Sequence, residues 1–324
     1  MEVKNRRIKW IGILGCFLVI LGLAFWLVRT DSTREKHIVL IVKSMDKTTD
    51  FWTSMIDGAN MAAKEHEVHL TIMGPESETK YEEQGAMIEE AIRMKPDAIA
   101  LVPASYTKTA SYAEKIEKSD IKLMLVDSVM EEAMGSCIVA TDNVEAGRKM
   151  GDFIKENAGD IRGIGVVGHV QGSSTATERE MGLRNGLEEY EDKIVDVVFC
   201  DSNYNKAYKI TKEMLEKHPE INVLAGLNEY SSVGAARAVI DLGLEGKIFM
   251  VGFDSSIKEV DFLESGIFQA IVVQKPLNMG YLAVENTIKL LENEMLPQYI
   301  DSGSAIITKE TMYMPENQKL LFPI

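Results

Sequence analysis

Cysteine is scarce in this chain. Three stand among 324 residues, Cys16, Cys137 and Cys200, too few for a disulfide scaffold. Cys16 lies in a long apolar run. Cys137 and Cys200 each sit in a short one and read as small core residues, with a single bridge between them left open. Histidine is also sparse: five are scattered, with no pair at helical spacing and no Cys-x-x-Cys, so no metal site is expected. Basic charge is in deficit, 35 Lys and Arg against 50 Asp and Glu. The net charge of −15 excludes the basic footprint of a nucleic-acid binder and reads as a solvated acidic surface. Enzyme signatures are lacking too: no Walker loop, no Gly-x-Ser-x-Gly elbow and no His-Glu-x-x-His. The string Gly163-Ile-Gly165-Val-Val-Gly168 matches the dinucleotide pattern in letters only. Its glycines fall inside a strand pattern, whereas the fingerprint must follow a strand and open a helix. No enzyme activity and no cofactor are expected.

What is present is globular. Hydrophobic residues make up 46% of the chain and charged residues 26%, and the length suits two lobes of roughly 130–150 residues. One apolar run is far longer than the rest, Trp10 to Val28. Its 19 residues match the ~30 Å hydrocarbon core of a bilayer. Lys4, Arg6, Arg7 and Lys9 precede it, which favours a cytoplasmic N-terminus and an extracytoplasmic domain after Arg29. Only Gly22-Leu23-Ala24 approaches a signal-peptidase site, and Ile13-Leu14-Gly15-Cys16 is a poor lipoprotein signal, with most of the apolar run after its Cys. An uncleaved single-pass anchor is therefore expected, with Thr30–His37 as a short polar linker.

From Ile38 onward, apolar runs of about five residues alternate with helical patterns, as in a parallel sheet buried on both faces. The runs near 38–42, 68–73, 98–102 and 123–126 form one series with helices near 51–65, 81–93 and 110–118. The pattern restarts with Ile138–Ala140 and a helix at 143–157, then strands near 164–170, 194–199, 223–226 and 248–251. Two such series imply two similar α/β lobes with a cleft between them. A tail supplies a strand at 270–273, a helix near 279–292 and a last strand near 305–308.

Polar residues recur at strand ends: Asp127, Asn228, Asp254 and Gln274. Singly, each reads as a cap or turn residue. Four at the same end of successive strands point to a ligand, because open α/β sheets bind ligands outside the carboxyl ends of their strands. Aromatics lie nearby, Phe51-Trp52 after the first strand and Tyr204 after Cys200. A sugar has apolar C–H faces and a rim of hydroxyls, so its site needs flat rings with carboxylates, amides and an Arg around the edge.

Gly252-Phe-Asp254, Thr141-Asp-Asn143, Gly172-Ser-Ser-Thr-Ala-Thr-Glu-Arg179, Leu227-Asn-Glu229 and Gln274-Lys-Pro276 together resemble the type 1 periplasmic sugar-binding proteins, the ribose-binding branch above all. The resemblance runs from about Ile38 to the end. It implies two Rossmann-like lobes joined by a three-segment hinge and closing on a monosaccharide. The lobes would be 38–140 plus 275–300 and 141–274 plus 301–324, after a flank, anchor and linker in 1–37. It also implies that Phe51, Trp52 and Tyr204 sandwich the ring, while Asp127, Arg179, Asn228, Asp254 and Gln274 bond its hydroxyls. Two departures stand out. Asp127-Ser128 replaces Asp-Arg, and Thr49-Asp50 replaces Asn-Pro, so a more acidic pocket than one for ribose is expected.

The function implied is a membrane-anchored extracytoplasmic receptor for a sugar or small polyol. It would serve an ABC permease or a membrane sensor such as a histidine kinase. The effector core of LacI-type repressors shares the fold, but it requires a DNA-binding helix-turn-helix where this chain has an apolar span.

Overall fold

The short apolar runs become the inner strands of two sheets. The computed structural model describes residues 34–131 and 135–322. Residues 37–324 make one unit; of the preceding unit, 1–36, only 34–36 are described. The expected span Trp10–Val28 lies outside the described residues, and no described helix is long and apolar enough to cross a membrane.

The strands are β1 (His37–Ile41), β2 (His69–Met73), β3 (Ala98–Leu101), β4 (Lys122–Val126), β5 (Ile138–Ala140), β6 (Ile164–Gly168), β7 (Ile194–Phe199), β8 (Val223–Gly226), β9 (Phe249–Phe253), β10 (Ala270–Gln274), β11 (Tyr299–Asp301) and β12 (Ser304–Thr308). The first sheet has the order β11-β5-β4-β3-β1-β2 and is parallel throughout. The second has the order β12-β10-β9-β8-β6-β7, parallel except where β12 runs against β10. The same winding appears twice, with the strand order reversing beside β1 and beside β6, the switch point where such sheets bind ligands.

The alternation of side chains explains why these runs carry so little polar character. Ile38, Leu40 and Val42 pack on one face of the first sheet, and Val39 and Ile41 on the other; all are fully buried. Each such side chain stabilises the fold by about 1.5–3 kcal/mol. The second sheet is likewise covered on both faces. The helices are α1 (Asp50–Glu65), α2 (Tyr81–Met94), α3 (Ala110–Glu117), α4 (Asn143–Asn157), α5 (Ser174–Leu187), α6 (Tyr204–Lys217), α7 (Glu229–Asp241), α8 (Ile257–Ser265), α9 (Pro276–Leu291) and α10 (Pro315–Leu321).

The chain passes between the sheets three times: after Ala140, after Gln274 and after Asp301. The first and last crossings are tied together. Ser302 N donates to Ala140 O at 2.9 Å, and Asp301 Oδ1 accepts from Asp142 N at 3.1 Å and from Gly303 N at 2.8 Å. Gly303 has φ +87°, and a Cβ there would lie 3.2 Å from Lys275 Nζ of the middle crossing. All three crossings therefore lie side by side.

Three elements depart from the sequence reading. Helix α8 has a capping box in which Ser256 and Glu259 bond reciprocally, but nine residues of mixed charge gave too weak a periodicity to mark it. Strand β11 is three residues long, and α10 was also unforeseen. His37 opens β1 rather than ending the linker. Cys137 and Cys200 are buried free thiols packed in different clusters, so the bridge left open does not form.

Helices α4 and α5 cross so closely that a Cβ on Gly147 would lie 2.2 Å from Arg179 O. Gly147→Ala must therefore push α5 away despite the better helix propensity of Ala. It is expected to lower stability by about 1–3 kcal/mol. Urea unfolding checks this as a lower midpoint at unchanged m-value.

Candidate functional site

The carboxyl ends of the two sheets face one cavity of about 340 Å3, counting space open to solvent. The segments after β1, β2 and β4 supply Lys43, Thr49, Phe51, Trp52, Glu78 and Asp127. The ends of β8, β9 and β10 and the start of α5 supply Asn228, Glu229, Tyr230, Asp254, Gln274, Thr175 and Arg179, with His169 beside them.

Asp127 and Asp254 occupy equivalent places, just past the fourth strand of each lobe. Both have left-handed backbones, φ 62° and 90°, which Asp tolerates better than most residues and which cluster at functional sites. Asp127 Oδ2 accepts from Lys43 Nζ at 2.8 Å, a pair buried on both sides, and from Ser128 Oγ at 2.7 Å. Burial alone would raise the pKa of Asp127, but the Lys43 charge and these bonds bring it below the usual carboxylate range. Asp254 accepts from Glu229 N at 2.9 Å and from Gln274 Nε2 at 2.7 Å. Burial holds its pKa above the ordinary value, against the pull of Arg179.

Arg179 is carried by α5, whose N-cap Ser173 accepts from Ala176 N. Its guanidinium lies over the Phe253 ring, 4.0 Å from the centroid, and donates to Asn143 Oδ1 and Leu227 O, both at 2.8 Å. His169 Nε2 pairs with Thr175 Oγ1 at 2.9 Å. Burial, with Arg179 and Lys43 nearby, drives its pKa well down and keeps the ring neutral.

Polar groups from the two lobes meet directly. Thr49 Oγ1 donates to Glu229 Oε2 at 2.8 Å, Ser202 Oγ to Glu78 Oε2 at 2.6 Å, and Tyr230 OH to Asp46 Oδ2 at 2.8 Å. Ile257 N reaches Asp50 Oδ2 at 3.2 Å, and Val129 N reaches Ser174 Oγ at 3.1 Å. This is a closed arrangement.

Seven of the eight residues singled out from sequence line this cavity: Phe51, Trp52, Asp127, Arg179, Asn228, Asp254 and Gln274. Tyr204 does not. It is the first residue of α6, its hydroxyl bonds Glu229 Oε1, and its ring packs on Tyr230 with centroids 4.7 Å apart. Asn203 caps that helix, which turns Tyr204 behind Glu229, and Tyr230 supplies the aromatic wall instead. Phe51 and Trp52 meet edge to face, 4.9 Å between centroids, and Trp52 Nε1 donates to Glu78 Oε1 at 3.0 Å. Asn228 has a second task. Its Oδ1 accepts from Ser231 N and caps α7, so the capping reading also holds at that position.

Sequence reasoning missed Lys43, Glu78, Glu229 and Tyr230. Lys43 directly follows the first apolar run, so the strand-end rule would have found it. Lys43 also supplies the cation that Ser128, in place of an Arg, does not. Four carboxylates line the cavity against two permanent cations, so the wall is acidic. Among the described residues, no group of His, Cys, Asp or Glu is arranged to hold a metal ion.

The chain matches the periplasmic binding protein domain over residues 38–295. A solved sugar transporter from Clostridium phytofermentans is 46% identical and superposes with a TM-score of 0.80, covering 85% of this chain and 100% of that one. An ABC transporter solute-binding protein from Agrobacterium vitis, solved with D-fucose, is 26% identical with a TM-score of 0.82 over 88% of this chain and 100% of its own. The ribose import binding protein RbsB of Haemophilus influenzae is 24% identical over 291 residues, 90% of this chain and 97% of its own.

Burial, with Asp254 and Asp50 adding to it, pushes the Glu229 pKa up to about 7 against the bonds from Tyr204 and Thr49. A carboxyl whose pKa rises on folding holds its proton more tightly in the folded state. Its ionisation therefore destabilises the fold as pH rises from the ordinary value toward 7. Glu229→Gln is expected to shift Tm more favourably at pH 8 than at pH 5, where Glu229 is already protonated. Thermal unfolding of both proteins at the two pH values checks this; an equal difference at both would contradict the raised pKa.

Proposed function

We propose that this chain, which belongs to the type 1 periplasmic sugar-binding family, binds a monosaccharide or similar small polyol between its lobes for ABC-type uptake or for signalling to a membrane sensor. One observation carries the reading. Rings, carboxylates, amides and a guanidinium from both lobes converge on a single cavity at the strand ends. Phe51, Trp52 and Tyr230 supply apolar faces; Asp127, Asp254, Asn228, Gln274 and Arg179 supply polar edges. Ionised carboxylates accept from vicinal hydroxyls and a guanidinium donates as a fork, so these bonds are charge-assisted and directional. The names of the Haemophilus, Agrobacterium and Clostridium proteins, which refer to ribose import, bound D-fucose and sugar transport, support the same ligand class.

The lobes are taken as 38–140 with 275–300 and 141–274 with 301–324, hinged at the three crossings. Segment Trp10–Val28 is taken as an uncleaved anchor that holds the domain on the extracytoplasmic side. A tether of that kind suits a partner in the membrane, a permease or a sensor kinase. Intact-mass analysis of the membrane fraction is expected to give a chain that retains residues 1–29. A chain beginning near Phe25, or acylated at Cys16, would overturn the anchor.

Binding is tested on the full-length chain in mild detergent. A panel of sugars and polyols is expected to contain members that raise Tm, since a ligand held only by the folded state stabilises it. Asp254→Asn keeps a residue that tolerates the left-handed backbone but removes the charge. Arg179→Lys removes the fork. Each is expected to weaken binding by about 2–3 kcal/mol, roughly 30- to 150-fold, by calorimetry. Unaltered affinity in both would place the site elsewhere.

A further inference from the structure

We infer that the cleft is built for a cationic polyol, an amino sugar or aminopolyol, whose ammonium sits at the corner made by Glu229, Asp254 and Gln274. The inference rests on the cleft being the ligand site proposed above.

The charges on the wall carry it. Glu78, Asp127, Glu229 and Asp254 face Lys43 and Arg179. Lys43 is engaged by Asp127 at 2.8 Å. Among the described residues, the other three carboxylates accept only from neutral donors. Glu78 takes Trp52 Nε1 and Ser202 Oγ, Glu229 takes Thr49 Oγ1 and Tyr204 OH, and Asp254 takes Gln274 Nε2 and a backbone N–H. Arg179 can balance one of the three, so two carboxylates remain uncompensated. Closing an ionised carboxylate away from water without a cation is strongly disfavoured. A sugar hydroxyl offers such a group a dipole; an ammonium offers it a charge.

A second, independent observation locates the ammonium. Gln274 is 2% exposed, and its Oε1 has no hydrogen-bond partner among the described residues. Its Nε2 is held by Asp254 Oδ1, which fixes the amide beside that carboxylate. An amide oxygen only accepts, and an ammonium has three donors and no acceptor. Glu229, Asp254 and Gln274 Oε1 thus offer one acceptor for each ammonium hydrogen. The surrounding elements reinforce the sign. Asp50 at the start of α1 adds negative charge, Glu259 on α8 is itself pushed toward its neutral form by burial and by Asp254 and Glu229, Tyr204 on α6 is neutral, and Arg179 on α5 is the cation on that side. In the absence of a cation, Glu229 holds a proton near neutral pH. An ammonium would replace that proton and release it to solvent.

The test uses the full-length chain and calorimetry. 2-Amino-2-deoxyhexoses and aminopentitols are each compared with their hydroxyl counterparts. At pH 7 the amino member is expected to bind tenfold or more tighter, the effect of about 1.4 kcal/mol from one added charge pair. Its binding heat should depend on the buffer's ionisation enthalpy in the sense of proton release. Its affinity should rise from pH 5.5 to 7.5, because the cation prefers ionised Glu229. Glu229→Gln should abolish both the preference and the proton release. If that variant does not fold, the buffer dependence of the unaltered protein decides alone. Hydroxyl sugars binding as tightly as their amino analogues, or amino-sugar binding with no proton release, would overturn the inference and leave the sugar-binding reading standing. Binding of neither kind would overturn both.

Discussion

A parallel strand covered on both faces by helices can expose polar groups only at its ends. The polar core of the site follows from that constraint. Ile38 to Val42 and Ala98 to Val102 carry no polar side chain because neither face of the sheet meets water. The first residue free to be polar is the one just past the last ladder bond. Lys43, Asp127, Asn228, Asp254 and Gln274 all stand there or next to it, and all line one cavity. Because the sheets share one winding, equivalent ends meet: Asp127 after β4 and Asp254 after β9, each with a left-handed backbone.

The same placement creates the electrostatic problem of the closed cleft. Carboxylates brought to strand ends by topology are buried when the lobes meet. Asp127 solves this with Lys43 and keeps a low pKa. Asp254, Glu229 and Glu78 have no such bonded cation among the described residues, and burial raises all three. The difference lies in which partner each carboxylate has, since all four are buried. The acidic half of the cleft is thus the half that still has acceptor capacity, and its complement is a donor-rich or cationic group.

Much of this was legible in the sequence, and the failures have physical reasons. Strands buried on both faces are unbroken apolar runs, and caps such as Asp142, whose side chain accepts from Glu145 N, mark helix starts clearly. Hence α4 was placed to the residue. Short elements without a continuous apolar face, β11 and α10, left no period to read. Of the seven chosen site residues that line the cavity, Asp127, Asn228, Asp254 and Gln274 were legible because adjacency to a strand end is a sequence property, whereas Arg179, on α5, rested on the family resemblance. Tyr204 failed because its ring direction depends on where α6 begins, which Asn203 decides through a cap. Glu78 was unreadable for a related reason. It lies in the loop between β2 and α2 beside Glu76 and Ser77, and only the fold determines which of the three turns inward. Glu229 was masked by its setting, since an acidic residue in the first turn of a helix ordinarily serves the helix dipole.

Closure itself has a physical basis in these contacts. Thr49–Glu229, Ser202–Glu78 and Tyr230–Asp46 join the lobes through three carboxylates and three hydroxyls. Such bonds exchange readily with water when the lobes part, so their net contribution is modest, about 0.5–1.5 kcal/mol each for neutral pairs and somewhat more for charged acceptors. They oppose the burial of Glu229 and Glu78 on the other side of the balance. A closed state held by small terms of opposite sign is one that a ligand can bias. A ligand shifts such an equilibrium only by its differential affinity for the two states. Groups from one lobe alone, such as Asp254 and Gln274, are present in both states and give affinity without closure. Glu229 differs, because Thr49 of the other lobe shares its carboxylate. A ligand contact that satisfies Glu229 while leaving the Thr49 bond intact is made fully only when the lobes have met, which makes that carboxylate the place where ligand chemistry and lobe closure become one event.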